Sequence, residues 1–282
     1  MFWILQWGLQ IIEKFCINVI KCGPVPKHVA FIMDGNRRFA VKNKMQLSEG
    51  HFRGFDKLVE TLQWCLELGI TEVTVYAFSI ENFKRSEEEV GTLMRLATEQ
   101  LQKLLSNEVI MAEGVRIRII GNLLLLSEEL QKLCAQVVLK TKDNDKAFVN
   151  VAFAYTSRDE IANAARIIVE GVKSGEIKNE DVDEDLIGNC LYTKNGADPD
   201  VIVRTSGEVR FSDFLLWQIS NSQICFIQVL WPEFCIWDLL VCVFRYQRCC
   251  NELKKRGNKR KNKNERIQTF LDRLEQQRLK QL

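Results

Sequence analysis

Short apolar runs alternate with longer stretches of helical periodicity along most of this chain. The runs at 28–33, 73–78, 115–120, 147–154, 201–204 and 224–229 are rich in Val, Ile and Phe and are flanked by turn-forming residues, which reads as buried strands. Between them lie segments with apolar residues at helical spacing. In 55–68 these are Phe55, Leu58, Val59, Leu62, Cys65 and Leu66, and the pattern stops at Gly69, a helix C-terminal signal. Further helices are predicted at 87–105, 128–140, 158–172, 184–190, 237–253 and 265–282, and a shorter one opens at Arg37 after the turn Asp34-Gly35-Asn36. Strands alternating with helices of this length predict an α/β fold, a mostly parallel central sheet flanked by helices. In such sheets ligands sit beyond the carboxyl ends of the strands, so the strand exits are where chemistry is sought.

The two ends of the chain read differently from its middle. Phe2, Trp3, Leu5, Leu9, Ile12, Phe15, Cys16 and Val19 give a helix with a broad apolar side, but Glu13 and Lys14 interrupt it. That is too polar for a spanning helix of roughly 20 apolar residues, and the chain does not start with the positive charge of a secretory signal. An amphipathic helix lying at a membrane interface or lining a groove fits, as does a terminal helix packed on the core. Cys22-Gly23-Pro24-Val25-Pro26 marks a boundary, giving an N-terminal helix at 1–23 and a main domain at 24–253. Residues 254–282 form a basic linker and a C-terminal helix, with seven Lys or Arg and no acid between Lys254 and Asn264. A solvated linker is the preferred reading of that run, and a membrane-surface or polyanion patch the sharper one.

Composition narrows the field. With 282 residues, 46% hydrophobic and 27% charged, the chain has the make-up of a globular protein with a sizeable core. A formal net charge of +2 argues against bulk polyanion binding, so no nucleic-acid partner is expected and any anion site must be local. The ten cysteines are scattered through apolar runs without C-x-x-C pairs and only His28 and His51 accompany them, which fits free thiols in a reducing, cytosolic setting and argues against zinc.

The strand exits hold the candidate chemistry. The first ends in Asp34-Gly35-Asn36-Arg37-Arg38, the second in Ser79-Ile80-Glu81-Asn82-Phe83-Lys84-Arg85, and a later one in Arg204-Thr205-Ser206-Gly207-Glu208-Val209-Arg210-Phe211-Ser212. Guanidinium forks, hydroxyls and glycine-adjacent N–H groups suit phosphate. Asp34 is the kind of hard oxygen ligand through which Mg2+ is shared with substrate phosphates. Each cluster alone is weak, and no Walker A or G-x-G-x-x-G sequence follows the first strand. Their joint occurrence is harder to explain as solvent-facing loops.

Six segments then carry a resemblance. H-V-A-F-I-M-D-G-N-R-R-F-A, E-G-H-x-x-G-F, Y-A-F-S-I-E-N-F-K-R, F-A-Y-T-S-R-D-E-I, R-T-S-G-E-V-R-F-S-D-F-L-L-W-Q and L-W-P-E-F occur in this order between His28 and Phe234. Together they resemble the signature segments of the cis-prenyltransferases, the undecaprenyl/dehydrodolichyl diphosphate synthase family, and most nearly its eukaryotic catalytic subunits. The resemblance implies an enzyme that condenses isopentenyl diphosphate units onto farnesyl diphosphate to make a long polyprenyl diphosphate for dolichol synthesis and protein glycosylation. It implies Mg2+ as cofactor, linked to Asp34. Gly35, Asn36, Arg37, Arg38, His51 and Arg85 match the allylic diphosphate site; Arg204, Arg210 and Ser212 match the isopentenyl diphosphate site; Ser79 and Asn82 match a loop at the reacting centre. A structural role for His51 stays open.

An apolar tunnel for the growing product is also implied, and Phe55, Leu58, Leu62, Leu93, Leu96, Leu101 and Leu104 are candidates to line it. Two departures stand out. Where bacterial members carry an acidic residue after L-L-W-Q, counting leads to Gln223. Where they carry an R-x-G motif after L-W-P-x-F, this chain reads Asn251-Glu252-Leu253-Lys254. Eukaryotic catalytic subunits share that loss, which implies a Nogo-B-receptor-like partner subunit supplying the motif, and peripheral association with the cytosolic face of the endoplasmic reticulum membrane. A non-catalytic scaffold of the same fold and a synthase of another cis-polyprenyl length are the alternatives. A scaffold would have no reason to keep Asp34, Arg38, Arg85, Arg204 and Arg210 together.

Overall fold

Six parallel strands form one sheet in the order β3-β4-β2-β1-β5-β6. They are β1 (His28–Ile32), β2 (Glu72–Ser79), β3 (Val115–Ile120), β4 (Ala147–Tyr155), β5 (Val201–Arg204) and β6 (Gln223–Phe226). The helices are α1 (Phe2–Lys21), α2 (Asn36–Lys42), α3 (Leu47–Leu68), α4 (Glu87–Ser106), α5 (Glu128–Lys140), α6 (Ser157–Lys173), α7 (Glu184–Cys190), α8 (Ile236–Arg256) and α9 (Glu265–Gln281). This computed structural model describes residues 2–106, 114–194, 196–256 and 264–281, with side chains from Ile11 to Leu253 and from Asn264 to Arg278 within those ranges. The side chains of the basic run 254–263 therefore lie outside the described residues.

Strands β1 and β5 are buried along their whole length, as a parallel sheet covered on both faces requires. Alternation sorts their side chains. Val29, Phe31, Val73, Val75, Val201 and Val203 face a core shared with α1, α3 and α8, where Trp231, Phe234 and Leu239 are fully buried. Ala30, Ile32 and Ile202 face the other layer, against Phe214, Leu215 and Ile219. A third cluster joins α6, α7 and α9 through Ala164, Ile168, Leu186 and Phe270.

From β1 the chain passes to β2, crosses to the edge strand β3, steps back to β4 between them, and then returns to the opposite side of β1 with β5 and β6. The order reverses between β1 and β5, where Ile32 stands opposite Arg204. The crevice at such a reversal is where open α/β sheets bind ligands, and both Asp34 and Arg204 lie at its mouth.

Two boundaries differ from the sequence pattern, for physical reasons. Helix α3 begins at Leu47, not 55, because Gly50 and Gly54 are helical residues. A Cβ on either would collide with Asn36 or Ala40 of α2, so the glycines permit a close helix crossing. Strand β6 stops at Phe226, not 229, because Ile227 and Val229 turn their carbonyls to the N–H groups of Gly207 and Ser206. Residues 227–229 thereby brace the loop that follows β5.

Candidate active site

At the exit of β1 the backbone of Asp34 is pinned three ways. Its N–H donates to Thr205 Oγ1 at 3.0 Å, and its carbonyl accepts from the Thr205 hydroxyl at 2.6 Å and from the Trp231 N–H at 3.0 Å. Gly35 follows at φ 113°, a conformation that side chains resist, with Leu230 packed where a Cβ would point. The turn launches α2, and its guanidiniums Arg37 and Arg38, from the strand end.

The Asp34 carboxylate lies between two arginines. Arg204 Nη2 donates to Oδ2 at 2.8 Å, and Arg38 Nη2 lies 3.5 Å from Oδ1. Burial pushes the carboxyl upward, but the Arg204 hydrogen bond and charge, with Arg38 behind them, outweigh it and hold Asp34 below the usual carboxylate range. Arg204 is 3% exposed, and its Nη1 donates to the Arg210 carbonyl and to Ser212 Oγ at 2.7 Å. One buried guanidinium thus ties the β1 exit to the loop after β5. Arg210 remains mostly exposed beside Glu208, whose other oxygen lies 3.5 Å from Arg38; Arg38 also donates to the Ser206 carbonyl and hydroxyl.

A second arginine group gathers on Glu89, in the first turn of α4. Arg85 Nη1 donates to Glu89 Oε1 at 2.7 Å, Arg37 stands 3.7 Å from Oε2, and His51 Nε2 stands 3.9 Å from Oε1. Desolvation lowers the His51 pKa, partly opposed by Glu89. Asn36 Oδ1, His51 Nε2 and Arg204 Nε are buried without a hydrogen-bond partner in the protein. Such orphans cost about 1–3 kcal/mol each and are tolerated where a ligand completes them.

The second strand exit is ordered by its own side chains. Ser79 Oγ accepts from the Glu81 N–H at 3.2 Å and Asn82 Oδ1 accepts from the Ser79 N–H at 3.0 Å, capping the 3-10 turn Ile80–Lys84. The Asn82 amide still has both of its donor hydrogens.

All the candidate residues read from the sequence, from Asp34 to Ser212, line one cavity of about 1210 Å3. Beside it lies a second cavity of about 810 Å3 between α3, α4 and the sheet. Phe55, Leu58, Leu62, Leu93, Leu96, Leu101 and Leu104 all line this apolar space. Met33, Asn36, His51, Tyr76, Ala77 and Leu93 line both, so the polar and apolar cavities adjoin across these residues. Gln223 is elsewhere: it starts β6, and its backbone N–H donates to the Asp200 carbonyl at 2.8 Å, at the N-terminal end of the strands, opposite the exits that carry the site. Helix α8 likewise runs away from the site, its Tyr246 bonded to Asp200 and its Cys249 to Gln223, so residues 251–253 lie remote from Asp34.

Sequence reasoning passed over Glu89, Glu208, Tyr76, Arg158 and Asp213. Acidic residues in a helix first turn are ordinary macrodipole complements, so nothing local marked Glu89 as the hub of three cationic or basic groups. Tyr76 is half-buried, its pKa pushed up to about 12 by desolvation, and its place inside a strand gives it no local sequence signal.

Among the described residues no group of three or more His, Cys, Asp or Glu forms a metal cage. A single partly exposed carboxylate, Asp34, at the strand exit amid guanidinium and hydroxyl groups is instead the donor set that suits Mg2+ held jointly with substrate phosphates. The residues present fit that ion.

The family profile described as putative undecaprenyl diphosphate synthase matches residues 32–253. The chain is 54% identical over 248 residues to the Homo sapiens dehydrodolichyl diphosphate synthase complex subunit DHDDS, covering 88% of this chain and 74% of that one. It is 42% identical over 239 residues to the geranylgeranyl-diphosphate-specific tritrans,polycis-undecaprenyl-diphosphate synthase of Pyrococcus furiosus, covering 85% and 90%. Among solved structures, lavandulyl diphosphate synthase of Lavandula x intermedia, in complex with dimethylallyl diphosphate, superposes with a TM-score of 0.75 at 32% identity, covering 79% of this chain and 95% of that one.

Proposed function

Since the chain belongs to the cis-prenyltransferase family, we propose that it condenses isopentenyl diphosphate units onto farnesyl diphosphate to build a long polyprenyl diphosphate for dolichol synthesis. The observation that carries this is the convergence of two arginine-bearing strand exits on Asp34, over a polar cavity that adjoins an apolar one. Asn36, Arg37, Arg38, His51 and Arg85, with the Gly35 backbone, would take the allylic diphosphate. Arg210 and Ser212, with Arg204 behind them, would take the isopentenyl diphosphate.

Breaking the allylic C–O bond leaves negative charge on the departing diphosphate, and preorganised guanidiniums lower that barrier. The isopentenyl double bond then attacks the allylic carbon, and loss of a proton leaves the new cis olefin; no covalent bond to the protein is required. Holding two diphosphates side by side turns a bimolecular encounter into an oriented one. Asn82, its donors free at the rim, and Ser79, which shapes its turn, would serve the reacting centre. Asp34 would hold Mg2+, which when bound neutralises charge developing on the diphosphate. The apolar cavity would accept the lengthening chain, beginning at the shared wall of Met33, Tyr76 and Leu93.

The relatives' names as complex subunits support a heteromeric enzyme. The R-x-G motif is absent from the sequence, and the position where it would fall lies far from this chain's own site, so a Nogo-B-receptor-like subunit is the proposed donor. No helix among the described residues is long and apolar enough to cross a membrane. Peripheral attachment to the cytosolic face of the endoplasmic reticulum follows as the proposal, given a polyprenyl product.

The test is incorporation of labelled isopentenyl diphosphate with Mg2+ and either farnesyl or geranylgeranyl diphosphate, with and without the partner. Long-chain product from farnesyl diphosphate, strongly stimulated by the partner, is expected. Equal rates without the partner would remove the heteromeric part, and no incorporation with it would remove the activity.

A further inference from the structure

Four of the six non-glycine residues with positive φ among the described residues crowd into one loop: Ser206 (78°), Ser212 (48°), Asp213 (61°) and Leu215 (49°), with Gly207 (74°) among them. L-residues in that region cost of order 1–3 kcal/mol each and persist only where their surroundings over-determine them. This loop follows β5 and carries Arg210 and Ser212.

Its far half is held from α6. The Ser157 N–H donates to the Asp213 carbonyl at 2.8 Å, and the Leu216 N–H donates to Ser157 Oγ at 3.1 Å. Both oxygens of the Asp213 carboxylate are taken by Arg158: the backbone N–H donates to Oδ1 at 3.1 Å and Nε donates to Oδ2 at 2.9 Å. Asp213 therefore caps the first turn of α6 from outside that helix. The Asp213 side chain is only 10% exposed, whereas that of Arg158 is 78% exposed. On the inner side, Tyr76 OH donates to the Ser212 carbonyl at 3.2 Å, and buried Phe214 stacks on the Tyr76 ring at 4.4 Å. A left-handed turn is thus clamped between a buried ring stack and an ion-paired cap, with Ser212 at its apex beside Arg204.

We infer that Asp213, acting with Arg158, is a positioning residue for the second diphosphate: the clamp holds the loop in the course that presents Ser212 and Arg210 to the cavity. The inference rests on the two-diphosphate reading above. Asp213 does not act on the substrate itself. Its carboxylate, one residue from a phosphate-binding hydroxyl, would repel the ligand were its charge not met by Arg158 and the α6 N-terminus.

The experiment is steady-state kinetics of the partner-supplemented enzyme, varying isopentenyl and farnesyl diphosphate separately. Asp213→Ala is expected to raise the isopentenyl KM at least tenfold while the farnesyl KM stays within twofold. Asp213→Asn, which keeps an oxygen to accept the Arg158 N–H, should recover most of that loss. Arg158→Ala should raise the same KM by less, and adding it to Asp213→Ala should change nothing further. Should Asp213→Ala not accumulate as folded protein, the Asn and Arg158→Ala variants carry the same comparison. Both KM values rising together, neither moving, Asn performing no better than Ala, or multiplicative effects of the two sites would overturn the inference. Wild-type enzyme is assayed first, so absent incorporation is charged to the activity and an unmoved KM in an active enzyme to the clamp.

Discussion

Asp34 and Arg204 show how one contact serves both structure and site. Arg204 is almost wholly buried, so Asp34→Ala leaves a desolvated cation unpaired, and breaking such a pair costs about 3–5 kcal/mol. Asp34→Asn keeps an oxygen for Arg204 while removing the charge that would hold Mg2+. The Asn variant is expected to keep its melting temperature within a few degrees and to lose at least 100-fold in turnover, whereas the Ala variant loses both; an active Asn variant would remove the metal role. His51 is legible from pH. Its pKa lies below the ordinary 6.5 because burial disfavours the imidazolium. The folded chain binds that proton less readily than the unfolded one, so stability falls as pH drops below about 6.5. NMR titration should find the ring neutral at pH 7, and His51→Asn should flatten the acid side of the stability profile; a measured value above 6.5 would contradict the burial account. Asp34 and the arginines could be read from sequence because clusters that are weak singly recur at three strand exits. Glu89 and Asp213 could not, since their meaning lies in partners that only the folded backbone brings near.

At the scale of elements, most strands and helices were legible because their periodicity and their stops agree. Gly69, at φ 86°, does end α3, with its N–H and the next returning to carbonyls of the last turn. The start of that helix was not legible: Gly50 and Gly54 are poor helix formers locally and are there to let α2 approach. Gly54→Ala is expected to cost about 1–3 kcal/mol by overpacking against Asn36, and to raise the farnesyl KM; urea unfolding and kinetics check both. Helix α9, which composition alone marks as a surface helix, buries Phe270 where α6 has Gly171 instead of a larger residue, and pairs Arg266 with Asp181 and Arg273 with Glu176. Phe270→Ala is therefore expected to destabilise the chain by about 3–5 kcal/mol with both KM values unchanged. A loss below 1 kcal/mol in chemical denaturation would show that α9 is not integral to the fold.

For the whole molecule, the reversal of strand order between β1 and β5 does what no single element can. It sets residues 34 and 204, far apart in sequence, within hydrogen-bonding distance, and gathers the loops of three strand exits around them. Alternating strands and helices in the sequence imply a parallel sheet, but strand order is a long-range property that local periodicity does not encode. The cavity pair follows from that order too, since α3 and α4 leave an apolar gap over β2, β4 and β3 that shares Met33, Asn36, His51, Tyr76, Ala77 and Leu93 with the polar site. On the reading proposed above, one rim grips two diphosphates at once. The decisive measurement is a crystal structure of the chain with its partner, Mg2+, isopentenyl diphosphate and a farnesyl thiodiphosphate whose allylic C–S bond resists cleavage. One diphosphate is expected on the Asn36–Arg38 turn and Arg85, the other on Arg210 and Ser212, with Asp34 on the metal and the farnesyl chain entering past Met33 and Tyr76. Diphosphates bound elsewhere, or a farnesyl chain lying outside the apolar cavity, would contradict that reading.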